Sequence, residues 1–214
     1  MGQAAGQMAR TRAFDTDEVV QAARDVFWTL GYDAAAMPDL ERATGLGRSS
    51  LYNAFGSKRG LFDAAVQSYL DEVVRPRLVA VAAAADGATG LRGYFDSLAD
   101  AVEAGRAGQQ RGCLLLTASS GRSGQDPQVR AAVEAYRMEV TDAFATALLR
   151  DVAPVHGGAG PKDGSSDRLV QVSGQARLLF ALLVAGMTLA RVNCEEAAKT
   201  LRSAVRLIDP AASR

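Results

Sequence analysis

Apolar residues recur at helical spacing along most of this chain, and no stretch alternates as a strand would. From Thr16 to Leu30, Val19, Ala22, Ala23, Val26, Phe27 and Leu30 form one stripe; Asp15, with Glu18 three residues on, opens it and Gly31 closes it. Trp28 stands one step off that stripe and reads as packed against a later helix. A short helix is predicted from Pro38 to Thr44, with proline first and Leu40 and Ala43 inward. Another spans Arg48 to Phe55, where Leu51 and Phe55 share a face. Ser57 caps a fourth, carrying Leu61, Phe62, Ala65, Val66, Tyr69, Leu70 and Val73, and Pro76 is expected to kink or break it.

Beyond Asp86 the residues shift to Ala, Leu, Val and Gly, with helices predicted at Thr89 to Ala107, Gly112 to Ser120, Pro127 to Val152, Asp167 to Val192 and Glu195 to Ile208. The separator at 153–166 holds Pro154, Gly157, Gly158, Gly160, Pro161 and Gly164 and reads as a mobile loop. The last two helices are apolar nearly all round, through Leu178, Leu179, Leu182, Leu183, Leu189, Leu201, Val205 and Ile208, which implies burial on more than one side. The fold class is therefore all-α, with about nine helices.

The stretch Thr44 to Lys58, TGLGRSSLYNAFGSK, organises the N-terminal part. Gly45 and Gly47 bracket Leu46, so the backbone turns sharply while one apolar side chain fills the space between two helices. The helix that follows exposes Arg48, Ser49, Asn53 and Tyr52. This is the layout of a helix-turn-helix.

From Phe14 to about Leu70 the chain resembles the DNA-binding domain of TetR/AcrR-type transcriptional regulators, through Gly45, Leu46, Leu51, Tyr52, Phe55, Ser57 and Lys58. Met1 to Ala13, with Gly2, Gly6, small polar residues and Arg10 and Arg12, reads as a disordered basic arm, and the resemblance implies a three-helix reading head at 14–60. It implies a helical effector-binding and dimerisation domain at 61–214. It places Arg48, Ser49, Ser50 and Asn53 at base edges, Tyr52 on a phosphate, and the last two helices (about 167–208) in a homodimer interface. The implied partners are a near-palindromic double-stranded operator and a small-molecule effector of unidentified structure, and the implied role is that of a repressor. Side-chain chemistry agrees: a guanidinium such as that of Arg48 pairs with guanine, and a carboxamide such as that of Asn53 with adenine. Lys58, in the first turn after Ser57, is placed to neutralise a phosphate. The chain departs from the family at Ala35, Ala36 and Met37, where a capping Thr or Ser is usual, and at Ala54.

The 214 residues carry 24 basic and 24 acidic side chains, so net charge does not advertise a nucleic-acid partner. Between Arg42 and Phe62, however, Arg42, Arg48, Lys58 and Arg59 occur without any Asp or Glu, and Arg10 and Arg12 lie in the arm. Enzyme chemistry finds no support: His156 is the only histidine, no metal or cofactor motif is present, and Gly45-Leu46-Gly47 follows a helix rather than a strand. Met1 to Ala13 lacks the apolar core of a signal peptide, and the apolar stretch Leu178 to Ala190 is too short to span a bilayer, so a cytoplasmic, membrane-free protein is expected.

Effector-pocket candidates are Phe95, Leu98, Leu116, Tyr136, Phe144, Phe180 and Met187, residues that equally suit plain core. Cys113, with Arg111 two residues away, is a candidate redox or electrophile sensor or a small buried side chain. Such a cysteine-based sensor, or a ligand-binding dimer that has lost specific DNA reading, are the competing readings of the same fold.

Overall fold

A computed structural model describes residues 15–105, 111–151 and 164–208. The arm expected at 1–13, His156 and residues 153–163 of the expected loop lie outside them. Among the described residues the regular elements are all helical. They are α1 (Thr16–Leu30), α2 (Met37–Thr44), α3 (Arg48–Phe55), α4 (Lys58–Tyr69), α5 (Arg75–Ala83), α6 (Gly87–Glu103), α7 (Leu114–Ser119), α8 (Pro127–Arg150), α9 (Gly164–Leu189) and α10 (Cys194–Ile208). A π-turn, Leu70–Val74, joins α4 to α5 without a break, so counting that rod once gives nine helices among the described residues.

The first three helices start and stop where local chemistry directs. Asp15 accepts hydrogen bonds from the Asp17 and Glu18 amides, and the Gly31 amide returns to the Phe27 carbonyl. At α2 the N-cap is Ala36, whose methyl cannot accept from the first-turn amides; its own amide instead donates to the Asp39 carboxylate at 3.1 Å, half of a capping box. Gly45 closes α2 at φ 69°, the left-handed conformation that only glycine adopts readily. Phe27 meets Phe62 edge-on at 5.1 Å, and Leu40, Leu51 and Leu61 complete the core of the head.

Pro76 does not break the rod, one of the two outcomes its sequence position suggests. A proline there lacks the N–H that would reach the Glu72 carbonyl, and its ring crowds the preceding turn. The helix absorbs this one turn earlier by widening: the Arg75 amide bonds the Leu70 carbonyl, five residues back. The Arg77 guanidinium donates to the Val73 carbonyl in the same region.

The other helices pack around this rod. At the end of α8, Arg150 donates to the Val81, Ala82 and Ala84 carbonyls that end α5, while Asp151 accepts from the Gly87 and Ala88 amides that begin α6. A cation is thereby set at a helix C-terminus and an anion at the next N-terminus. α9 begins at Gly164, so the last three positions of the expected loop are helical. Its packing on α10 is close enough that a Cβ at Gly186 would lie 2.6 Å from Leu201 Cγ.

The segment Ser166–Leu189 is, by length and composition, long and apolar enough to cross a membrane, which the shorter stretch read from sequence was not. Polar residues such as Gln171 and Ser173 between Leu169, Val170 and Val172 hide that length from a search for an unbroken apolar run. Leu178 is 48% exposed, and Gly174, Ala181 and Ala185 are exposed beside it.

Candidate nucleic-acid interface

Helix α3 sits on the head through Leu51, which is buried, and Phe55, which is partly so. Its remaining positions stand outward: Arg48, Ser49, Ser50, Asn53 and Ala54 are all exposed. Tyr52 is half-buried, and Arg48 donates to its hydroxyl at 3.3 Å with the guanidinium 5.2 Å from the ring centre. The structure thus gathers five of the six residues expected to touch DNA onto one short helix. Its outward side offers a guanidinium, hydroxyls and a carboxamide, the donor and acceptor set that reads base edges.

Lys58 sits apart from that group. Its ammonium donates to the Tyr32 carbonyl at 2.6 Å and lies 4.5 Å from the Tyr32 ring centre. Burial pushes it below the ordinary lysine value, against the pull of Asp33. The other cations counted as a local basic patch are also engaged: Arg42 with Asp39 at 3.3 Å, and Arg59 with Asp63 at 2.7 Å and Asp126 at 2.8 Å. Arg48, by contrast, has no carboxylate partner among the described residues.

The side of the head that meets α7 and the end of α9 is built by different means. Trp28 Nε1 donates to the Gly112 carbonyl at 2.9 Å, and its ring meets Tyr69 edge-on at 4.9 Å. Gly112 has φ 71°, and a Cβ there would lie 2.4 Å from the Met187 carbonyl, so this contact requires glycine. Arg191 reaches the end of α1, donating to the Trp28 carbonyl at 3.4 Å and the Thr29 carbonyl at 3.3 Å, and also to the Arg111 carbonyl and Thr117 Oγ1. Asp33 accepts from the Ser123 amide at 3.0 Å. Arg59 adds its bond to Asp126, the residue that caps α8. The packing of Trp28 on a later helix was expected from sequence, but the hydrogen bonds and ion pairs were not, because most end on backbone atoms far along the chain.

Arg111 is held at 3.2 Å from Asp25, and its guanidinium lies 6.0 Å from the Trp28 ring centre. It therefore serves the attachment of α1. Cys113 is buried, and it lines the same small cavity as Tyr69 and Tyr136. This cavity, of about 20 Å³, is bounded by Trp28 of the head, Tyr69, Arg77, Tyr94, Tyr136 and Met187 among others. Of the pocket candidates, Leu98, Tyr136 and Met187 line this cavity, and Leu116 lines an adjoining cleft. Phe95 and Phe144 pack on each other at 5.6 Å, and Phe180 packs on Tyr136 at 5.9 Å.

A head with an outward donor-rich α3, joined to a helical body, defines a helix-turn-helix DNA-binding transcriptional regulator. Comparison with known proteins gives the family. The profile described as bacterial regulatory proteins, tetR family, matches residues 19–65. An uncharacterised HTH-type transcriptional regulator of Bacillus subtilis, YezE, is 29% identical over 179 residues, 82% of this chain and 89% of its own. The HTH-type transcriptional repressor BdcR of Escherichia coli is 30% identical over 138 residues, 63% of this chain and 66% of its own. The structure is similar to that of a cysteine mutant of the TetR-family regulator CifR, solved with 26-bp operator DNA. That match has a TM-score of 0.75 and 29% identity, and covers 92% of this chain and 98% of the other. The chain belongs to the TetR family of transcriptional regulators.

Proposed function

We propose that this protein is a ligand-responsive repressor that binds a near-palindromic operator as a homodimer and leaves it when a small molecule occupies the helical body. The observation that carries the reading is the outward side of α3, where Arg48, Ser49, Ser50 and Asn53 stand in solvent on a head whose core is closed. On this reading Arg48 and Asn53 address bases, Ser49 and Ser50 support them at the helix start, and Tyr52 and Lys58 meet phosphates. One of the ammonium's three N–H groups is committed to Tyr32, which leaves Lys58 further donors for a phosphate.

Dimerisation is supported by α9, whose exposed Leu178, Ala181 and Ala185 form an apolar strip with small residues beside it. A second copy of the same strip is its natural cover, since a two-fold interface places one patch against itself. Two α3 helices then address half-sites about one or more DNA turns apart, on the order of 34 Å each. The relatives BdcR, a repressor, and CifR, solved on operator DNA, support the sign and the target. Release follows if the ligand prefers a dimer whose heads no longer match both half-sites.

The test is a mobility-shift titration of the purified protein against DNA from its own upstream region. A dimer-sized complex that survives competitor DNA supports the reading, and its loss in Leu178→Glu, together with a monomeric mass, supports the interface. Binding that any random fragment abolishes would favour a sensor that no longer reads DNA.

A further inference from the structure

The cavity beside Cys113 differs from the rest of the core in its polar lining. Tyr69, Tyr94 and Tyr136 are 3%, 7% and 4% exposed, and all three border it. Cys113 lines the cavity beside them. The Tyr94 hydroxyl has no hydrogen-bond partner among the described residues, and Tyr94 borders the cavity, so this hydroxyl is available to a ligand there. Burial raises all three hydroxyls well above the ordinary tyrosine value, so they remain protonated donors. Arg77 also lines the cavity, and among the described residues its guanidinium has a backbone carbonyl but no carboxylate as partner. The space therefore offers one cation and several O–H donors, and its other walls are apolar.

We infer that this cavity is the effector site and that it takes a small organic anion, a monocarboxylate on a short apolar body, held by Arg77 and the Tyr94 hydroxyl. The inference rests on the ligand-responsive reading above and names the ligand's chemistry. A carboxylate accepts several hydrogen bonds and suits a guanidinium, whereas an amine would face an uncompensated cation. Ketones and alcohols could use the phenols but would leave the charge unanswered.

A volume of about 20 Å³ accommodates little more than a water, so the site must open to accept such a ligand. Met187 and Cys113 form the wall it shares with a cleft of about 250 Å³ bordered by Thr117, Thr188 and Arg191. An unbranched methionine changes rotamer at little cost, and its displacement joins the two spaces. Such a ligand would lie between the π-turned rod, through Tyr69 and Arg77, and Trp28 of the head. Its access route passes Arg191, which holds the end of α1. Occupancy is thereby placed where it moves the head relative to the body.

Isothermal titration of the full-length protein with acetate, butyrate, hexanoate, octanoate and benzoate, each paired with its primary amide, tests this. At least one carboxylate should bind on the order of tenfold more tightly than its amide. That preference should fall to near unity in Arg77→Met, and Tyr94→Phe, which removes a hydroxyl with no protein partner, should weaken binding several-fold while the circular dichroism spectrum is kept. Equal affinity for acid and amide, binding indifferent to both substitutions, or no binding by any of the acids overturns the inference. Operator release, followed in parallel, separates the two levels. Release by a neutral compound, unchanged in Arg77→Met, overturns this site but keeps the ligand-responsive reading; absence of release by any compound, charged or neutral, defeats both.

Discussion

On the α3 side of the head, Arg48, Ser49, Ser50 and Asn53 stand in solvent, and among the described residues Arg48 is bonded to a neighbouring tyrosine and to no carboxylate. On the side toward α7 and α9, Trp28, Asp33 and Arg59 each reach a specific partner on the body, and Asp25 is held by Arg111 of the body. One side keeps its donors available and the other has committed them. The contrast shows how a small domain can both read an outside partner and respond to an inside one. Substitutions on the α3 side should change DNA recognition at constant stability, and substitutions on the docked side should do the reverse.

The largest effect is expected at Trp28. Trp28→Ala removes a buried ring and leaves the Gly112 carbonyl without its donor, at a cost of about 3–5 kcal/mol by denaturant unfolding. A loss under 1 kcal/mol would mean that the head is not anchored there. Next, Asn53→Ala should cost about 1–3 kcal/mol of discrimination at one adenine, with unfolding free energy unchanged within about 0.5 kcal/mol. A comparable loss of stability would break the comparison from the other side. Arg191→Ala should lower stability by about 1 kcal/mol, since its bonds to α1 are largely solvent-accessible, and calorimetry should show a fall in Tm of roughly 2–4 °C.

The smallest effect is a pH dependence. The Arg59 guanidinium, foremost, holds the Asp126 carboxyl below its usual value, with backbone donors from α8 assisting. A depressed folded-state value means that this contribution is complete above the ordinary aspartate range, near about 3.9, and fades as pH falls through the lowered value. Asparagine still caps a helix. The Tm gap between the protein and Asp126→Asn should therefore be flat around neutrality and close in acid, and a gap that widens in acid would contradict the pairing.

Much of the head was legible in the sequence because its signals are local. Asp15 and Gly31 bound α1, and the glycines around Leu46 set the turn before α3, so both helices fall at the predicted residues. The start of α2 differs by one residue, because Met37 adopts helical geometry ahead of the proline. Pro76 announced a disturbance, but the backbone relieved it upstream in a π-turn, which no single residue signals. Arg59 looked like part of a basic patch because its partner Asp126 lies far along the chain. On the docked side only the packing of Trp28 on a later helix was legible; its hydrogen bond ends on a backbone carbonyl 84 residues away, and a carbonyl has no residue type to read. The cavity was seen in part, through Leu98, Tyr136 and Met187, whereas Arg77 and Tyr94 passed unnoticed among many helical residues.

The central claim is that the exposed side of α3 reads sequence. It is tested most directly by operator and random-DNA affinities at several salt concentrations for the protein, Arg48→Ala and Lys58→Ala. The account predicts that Arg48→Ala loses discrimination at one base pair, by about 1–3 kcal/mol, while Lys58→Ala weakens both DNAs alike and reduces the salt slope by about one. Equal losses on operator and random DNA for both substitutions, with no preference for operator in the unsubstituted protein, would contradict it.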